Sequence, residues 1–202
     1  MTVYSLIKCC NYIDISLIFC YHEYCKTLSA KKSEIIKMDY ISHYRSPLGN
    51  ITLASNGDAL TGLWFDGQKY FGATLASEYE EKPLHVFERT AAWLDIYWGG
   101  RIPDFKPDIA LNDTDFRREV WNIMLTIPYG HTITYGEIAA MIAQKRGVTS
   151  ISAQAVGGAV GRNPISLIIP CHRVIGASGS LTGYAGGIER KAALLRLEGI
   201  RI

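Results

Sequence analysis

The chain has 202 residues, of which 48% are hydrophobic and 20% are charged, and this composition excludes a disordered or fibrous protein. No apolar run approaches the roughly 20 residues that a membrane-spanning helix needs, so no membrane partner is expected. Four of the five cysteines precede residue 26, and the rest of the chain has only Cys171. This excludes a disulfide framework there and favours a reducing, cytoplasmic compartment.

The formal net charge of +2 is unevenly distributed along the chain. Residues 38–110 carry six basic and ten acidic side chains, a net −4, whereas residues 111–202 carry ten basic and six acidic ones, a net +4. A basic surface attracts polyanions such as nucleic acid. We therefore expect only the second half of the chain to face a polyanion.

Residues 1–37 differ from the rest, because Cys, Tyr and Ile cluster there without a clear period. The segment is a poor signal peptide, and Met38 stands where the first predictable elements begin. We expect residues 1–37 to be a disordered extension or a non-native start, with translation from Met38. A zinc cluster is the alternative, but the ligand spacing matches no zinc finger, so no metal is expected. The candidate ligands are Cys9, Cys10, Cys20, His22 and Cys25.

Residues 38–110 are predicted to form a small antiparallel β-sheet domain with a flanking helix. The β-like pattern begins at residue 41, and the runs 51–54 and 60–65 are predicted strands separated by an Asn-Gly-Asp hairpin signal. Apolar residues at helical spacing predict a helix over residues 85–98.

Residues 111–202 are predicted to form a mostly helical domain. Asp113 or Thr114 caps its first helix, and Thr134 to Glu137 begins the second. A third helix, over about residues 152–160, follows a short turn, and the pair is typical of a helix–turn–helix. The glycines of this third helix weaken it, which indicates close approach of another backbone. A last helix is predicted over residues 188–197.

The apolar run 165–169 is predicted to be a strand that delivers Pro170-Cys171-His172-Arg173-Val174 to the edge of a pocket. A Gly/Ser-rich loop, 176–187, comes next. The thiolate rather than the thiol is the nucleophile, and a neighbouring basic group lowers the thiol pKa. Cys171 beside His172 therefore suggests a reactive cysteine, although the dipeptide alone also fits a buried cysteine beside a surface histidine.

Four motifs follow one another in order: Gly161 to Pro164, Pro170 to Val174, Gly183 to Gly187, and Leu195 to Gly199. Together they resemble the active domain of the O6-alkylguanine-DNA alkyltransferases, also called methylated-DNA–protein-cysteine methyltransferases. The likeness extends over residues 38–202 and is strongest from residue 114 onward. It implies an α+β protein whose second domain, 111–202, holds the helix–turn–helix and the active cysteine.

The resemblance implies single-turnover DNA repair without a cofactor. Cys171 would take a methyl or alkyl group from O6 of guanine, with O4 of thymine as a further candidate, and keep it as a thioether. His172 would accept the thiol proton through a water, and Glu198 would orient the imidazole. The partner would be double-stranded DNA, bound through the minor groove by a monomer that extrudes the damaged base.

The resemblance also assigns the walls of the base pocket. Tyr135 would donate a proton or hydrogen bond to guanine N3 and crowd the nucleotide's phosphate. Tyr184 would stack on the base, and backbone groups near Val174 and Ala185 would contact the guanine edges.

Three further roles concern support and DNA contact. Asn163 would tie its turn to the cysteine segment. Arg173 is a candidate for substrate or DNA contact, although a role in bracing the loop fits it better. The basic side chains predicted to contact DNA phosphates are Arg117, Arg118, Lys145, Arg146 and Arg162.

Gln154 departs from the family pattern. Many relatives have an arginine at the matching position, where it enters the base stack and fills the gap left by the extruded nucleotide. Glutamine can hydrogen-bond the orphaned cytosine but lacks the charge and planar stacking of a guanidinium. We expect base extrusion to survive with weaker duplex binding.

Three other functions are compatible with parts of this pattern. A protein that only flags alkylated DNA would replace the reactive cysteine, and Cys171 speaks against it. A cysteine hydrolase using Cys171, His172 and Glu198 would leave Tyr135 and the helix–turn–helix unexplained. A transcription regulator would be expected to have a separate effector module, and none is evident.

Overall fold

The computed structural model describes residues 38–202. The predictions for residues 1–37, including the candidate zinc ligands, lie outside the described residues. None of the helices within 38–202 has the length and apolar character to cross a membrane.

The first half forms a four-stranded sheet with the order β3-β2-β1-β4. The strands are β1 (Met38–Ser46), β2 (Gly49–Ser55), β3 (Leu60–Phe65) and β4 (Glu78–Glu81). Helix α1 (His85–Trp98) follows and buries one apolar face, as its spacing predicted.

The predicted antiparallel pairing is confirmed for β1, β2 and β3 and is wrong for β4, which pairs with β1 in parallel, so the sheet is mixed. Strand β4 has the sequence Glu-Tyr-Glu-Glu and all four of its residues are exposed. A short, charged edge strand has no alternation of apolar and polar residues, so hydrophobic patterning could not reveal it.

The second half is helical. Its helices are α2 (Asp115–Met124), α3 (Tyr135–Arg146), α4 (Ala153–Gly161) and α5 (Ile188–Leu197). Two short strands, β5 (Ile133–Thr134) and β6 (Val174–Ile175), pair in parallel. The predicted α+β class, with a sheet domain followed by a mostly helical domain, is confirmed.

Local capping determines where the helix–turn–helix begins. Thr134 accepts a hydrogen bond from the Glu137 amide, and the Glu137 carboxylate accepts one from the Thr134 amide, which completes a capping box. Helix α3 ends at Arg146 and is capped by Gly147, whose φ of 64° is the left-handed conformation that glycine adopts readily. Ser152 then caps α4.

The prediction of a strand over 165–169 is also wrong. Only Ile165 makes a bridge, to Leu63 of β3, and the chain then turns, with Leu167 at a φ of 70°. Both Ile165 and Leu167 are buried. A short apolar run is equally compatible with a buried strand and a buried turn, so its sequence could not decide between them.

Candidate active site

Cys171 begins a one-turn 3₁₀ helix, Cys171–Arg173, and its side chain is buried rather than displayed. Asn163 lies just beyond the end of α4 and holds the cysteine segment in place. Its Nδ2 donates to the Cys171 sulfur at 3.1 Å and to the Ile169 carbonyl at 2.7 Å, while its Oδ1 accepts from the Ile165 amide at 3.0 Å. The predicted tie between turn and cysteine thus has a direct geometric basis.

Burial raises the pKa of the Cys171 thiol, even though the hydrogen bond from Asn163 and the nearby Lys191 ammonium act to lower it. The sequence-based expectation of a lowered pKa is therefore wrong for the unliganded protein. Burial also lowers the pKa of His172, against the raising effect of Glu198. At neutral pH the resting pair is a thiol beside a neutral imidazole.

The tautomer of His172 follows from its partner. Its Nε2 lies 2.7 Å from Oε1 of Glu198, and a carboxylate can only accept, so the ring proton is on Nε2. Its Nδ1 is buried and has no hydrogen-bond partner among the described residues. The imidazole therefore keeps one unprotonated nitrogen in the interior of the protein, as a proton acceptor needs.

The Glu198 carboxylate lies at the end of α5 and accepts hydrogen bonds from four residues. His172 is the first, and Arg173 donates through Nε to Oε2 at 2.8 Å and through a terminal nitrogen to Oε1 at 2.9 Å. Tyr97 donates to Oε1 at 2.8 Å, and the Gly130 amide donates to Oε2 at 3.1 Å. Against the raising effect of burial, the bonds from His172 and Arg173 lower the pKa of Glu198 to about 2.

Arg173 acts as a brace. Besides its two bonds to Glu198, it donates to the Ile127 carbonyl at 2.7 Å, and its side chain is largely buried. Because these nitrogens already donate to Glu198 and Ile127, the guanidinium is better placed to hold Glu198 than to contact a substrate.

Two residues of the site were missed by sequence reasoning. Tyr97 extends from α1 in the sheet domain, and its hydroxyl lies 3.4 Å from His172 Nε2.

Lys191 of α5 is fully buried, and its Nζ donates to the Val174 carbonyl at 2.6 Å and to the Thr182 carbonyl at 3.0 Å. Burial lowers the pKa of Lys191 to about 8, with a smaller opposing effect from Cys171. A tyrosine within a helical stripe and a lysine in the last helix have no signal that distinguishes them from ordinary core and surface residues.

Tyr135 opens α3 and lies against the loop before α5. Its hydroxyl donates to the Thr182 carbonyl at 2.8 Å. A side-chain carbon added at Gly157 would lie 3.8 Å from the Tyr135 ring, and one added at Gly183 would lie 2.8 Å from its hydroxyl. The absence of side chains at these two positions lets the ring pack between α4 and the loop.

Two clefts meet along the glycine face of α4. One, of about 740 Å³, is lined by Tyr135 and Gln154, and the other, of about 450 Å³, is lined by Tyr184 and Ala185. Gly157, Gly158 and Gly183 line both clefts. Tyr184 is buried with its hydroxyl unpaired among the described residues, while Gln154 is exposed.

Most of the predicted phosphate contacts are paired with carboxylates. At the start of α2, Arg117 binds Asp113, which precedes the helix, and Arg118 binds Asp115 in its first turn. Lys145 and Arg146 bind Glu119. Of the five cations, only Arg162 has no carboxylate partner among residues 38–202. In that same range no three His, Cys, Asp or Glu side chains are grouped so as to hold a metal ion.

Comparison with known proteins gives matches along almost all of the described chain. The family model described as "6-O-methylguanine DNA methyltransferase, ribonuclease-like domain" matches residues 40–111. The one described as "6-O-methylguanine DNA methyltransferase, DNA binding domain" matches residues 115–200.

Two curated relatives are named methylated-DNA–protein-cysteine methyltransferase. The Mycobacterium tuberculosis H37Rv protein is 46% identical over 165 residues, which cover 77% of this chain and 92% of the relative. The Methanosarcina acetivorans protein is 41% identical over 160 residues, covering 79% and 98%.

Solved structures give the same match. A crystal structure of Mycobacterium tuberculosis OGT in complex with DNA has a TM-score of 0.67 at 44% identity, covering 80% of this chain and 92% of that one. An O6-methylguanine DNA methyltransferase from Methanococcus jannaschii has a TM-score of 0.53 at 28% identity, covering 80% of this chain and 95% of that one.

Proposed function

The chain belongs to the 6-O-methylguanine DNA methyltransferase family, and we propose that it repairs DNA by moving a methyl or alkyl group from O6 of guanine to the Cys171 sulfur. The observation that carries this assignment of the acceptor is the position of Cys171. Its sulfur accepts a hydrogen bond from Asn163, and the next residue is His172, which Glu198 orients. This is the order of nucleophile, base and orienting group that nucleophilic displacement requires.

The displacement balances without a cofactor. The Cys171 thiolate attacks the alkyl carbon, the S–C bond forms, and the C–O6 bond breaks with its electron pair passing to guanine. The thiol proton ends on guanine, which restores the normal base. The thioether product has no leaving group that water displaces readily, so each molecule acts once.

His172 is the proposed proton acceptor. Its unpaired Nδ1 is the only ring nitrogen available, because Nε2 is bound to Glu198. Glu198 holds the ring in that tautomer and stabilises the imidazolium that forms, while its low pKa prevents it from taking the proton itself. A water between thiol and imidazole would carry the proton.

Tyr135 and Tyr184 are the proposed contacts of the extruded guanine. Burial raises the pKa of Tyr135 above its ordinary range, so its hydroxyl remains a donor at neutral pH and can transfer its hydrogen bond from the Thr182 carbonyl to guanine N3. Tyr184 stacks on the base, and backbone groups at Val174 and Ala185 contact its edges. Extrusion is required because a buried thiolate cannot reach a base inside the duplex.

Helix α4 is the proposed DNA-reading element, bound in the minor groove of double-stranded DNA. Its exposed face carries Gln154 and glycines, so the helix backbone can approach a narrow groove closely. The minor groove offers little sequence information, which suits a search for lesions in any sequence. We expect a monomer in a reducing, cytoplasmic compartment, where the Cys171 thiol stays free.

Intact-mass spectrometry tests this function. Protein mixed with excess duplex containing one O6-methylguanine is expected to gain a single methyl group, about 14 Da, mapped to Cys171 and absent from Cys171→Ser. Cys171→Ser should still bind the duplex, which serves as the folding control. Duplex binding by the wild type without any mass change would contradict the proposal and favour a protein that only flags lesions.

A further inference from the structure

The 450 Å³ cleft has one wall that the proposed chemistry does not use. Lys69 and Tyr70, from the turn after β3 in the sheet domain, form this wall. The opposite wall is α4 and the loop that ends in Tyr184 and Ala185. The sheet domain therefore lies across this cleft from Tyr184 and Ala185, two of the proposed contacts of the extruded base.

The Tyr70 ring holds two cations. The Arg162 guanidinium carbon lies 4.7 Å from the ring centroid, and the Lys69 Nζ lies 5.0 Å from it. Neither cation forms an ion pair with any described residue, and no carboxylate lines the cleft. Two cations on one ring repel each other, so an anion that binds both relieves a repulsion already present in the free protein.

The turn is held firmly in this position. Tyr70 has a φ of 62°, a conformation that is unfavourable for a bulky residue and that persists only where the surroundings enforce it. Buried Gln68 provides part of that enforcement, because its Oε1 accepts from the Phe65 amide at 3.0 Å and from the Ser166 hydroxyl at 3.3 Å. The Lys69 amide donates to the Ala185 carbonyl at 3.0 Å, which joins the turn to the pocket loop.

We propose that Lys69 and Arg162, held on the Tyr70 ring, bind a backbone phosphate of the DNA strand that carries the extruded guanine. The proposal rests on the proposed function, and it makes the sheet domain part of the DNA interface. A phosphodiester fits this site because it is anionic and can approach the side-chain-free wall of α4. A carbon added at Gly158 or Gly161 would contact nothing within 4 Å, so this wall is open to a ligand backbone.

Salt dependence of duplex binding tests the proposal, because each phosphate contact adds about 0.9 to the slope of log K against log salt. The probe is a duplex with one O6-methylguanine, bound by the Cys171→Ser background so that no transfer occurs. Because the two cations share one phosphate, Lys69→Gln and Arg162→Gln are each expected to lower the slope by part of that amount and to weaken binding, and the double variant is expected to lower it by about 0.9 in all.

Two matched controls have the same chemistry away from the cleft. Lys82 Nζ lies 5.2 Å from the Tyr40 ring centroid, and the Arg89 guanidinium lies 5.2 Å from that of Phe105. Lys82→Gln and Arg89→Gln are expected to leave the slope unchanged. An unchanged slope in Lys69→Gln, or an equal fall in Lys82→Gln, would overturn the proposal.

Failure of this proposal and failure of the proposed function give different results. A methyl gain on wild-type Cys171 with an unchanged slope in Lys69→Gln would overturn the phosphate site alone. No methyl gain, together with a slope that falls in Lys69→Gln but not in Lys82→Gln, would support the phosphate site and overturn the transfer chemistry.

Discussion

Tyr97 donates a hydrogen bond to Glu198 over 2.8 Å, and this bond joins the sheet domain to the end of the last helix across 101 positions of sequence. Burial, followed by the negative charge of Glu198, raises the pKa of Tyr97 well above its ordinary range, so its hydroxyl is a permanent donor. The sheet domain thus helps to determine the charge distribution around His172, and it is part of the site rather than an appendage.

Tyr97→Phe is expected to make His172 more basic, because the Glu198 charge loses one of its donors. The acid limb of the pH–rate profile for transfer to Cys171 should therefore move to higher pH. The free energy of unfolding should fall by about 1–2 kcal/mol. Tyr44→Phe is the matched control, because it removes a 2.7 Å tyrosine–carboxylate bond, to Asp95, outside the site. Identical pH profiles for the two variants would contradict this role of Tyr97.

Glu198→Gln is expected to lose stability at neutral pH. The Glu198 pKa falls from 4.5 to about 2 in the folded protein, and a shift of this size corresponds to about 3 kcal/mol. Because the folded pKa is the lower one, that contribution is present above pH 4.5 and is lost as the pH falls toward 2. In urea unfolding, the free energy of unfolding should differ more between wild type and variant at pH 7 than at pH 3. A difference independent of pH would show that the ionised carboxylate does not cause the loss of stability.

Lys191→Met is expected to slow transfer at pH 7 by about tenfold, because the Lys191 ammonium acts to lower the pKa of the Cys171 thiol and so favours the thiolate. Lys191 itself has a pKa of about 8, so the wild type loses this assistance above that pH. The difference in transfer rate between wild type and Lys191→Met should therefore become smaller. Lys191→Arg keeps the charge and should recover part of the rate. A deficit equally large at pH 7 and pH 9 would assign Lys191 a purely structural role.

Gln154→Arg is expected to tighten duplex binding, because an arginine adds a charge and a stacking plane on the exposed face of α4. The slope of log K against log salt should become steeper by up to about 0.9 if the guanidinium reaches a phosphate. Gln144→Arg adds the same charge at an exposed position of α3 that does not line the cleft. Unchanged duplex affinity in Gln154→Arg would show that glutamine does not weaken binding at this position.

Much of the fold followed from local signals. The helix over 85–98, the hairpin strands and the helix starts at Thr114 and Thr134 were predictable, because each depends on residues close together in the sequence. Strand β4 and the turn at 165–169 were not, because partners far along the chain determine them.

The sequence by itself determined which chemistry the chain carries, because a cysteine followed by a histidine within an ordered set of motifs is recognisable from residue identity and order alone, whatever the packing around it. Only the tertiary structure decided the state of those groups. Burial raises the thiol pKa instead of lowering it, Tyr97 and Lys191 enter the site from other helices, and Arg162 and Lys69 meet on one ring. Desolvation and charge–charge contacts depend on distances in space, and a linear sequence does not contain those distances.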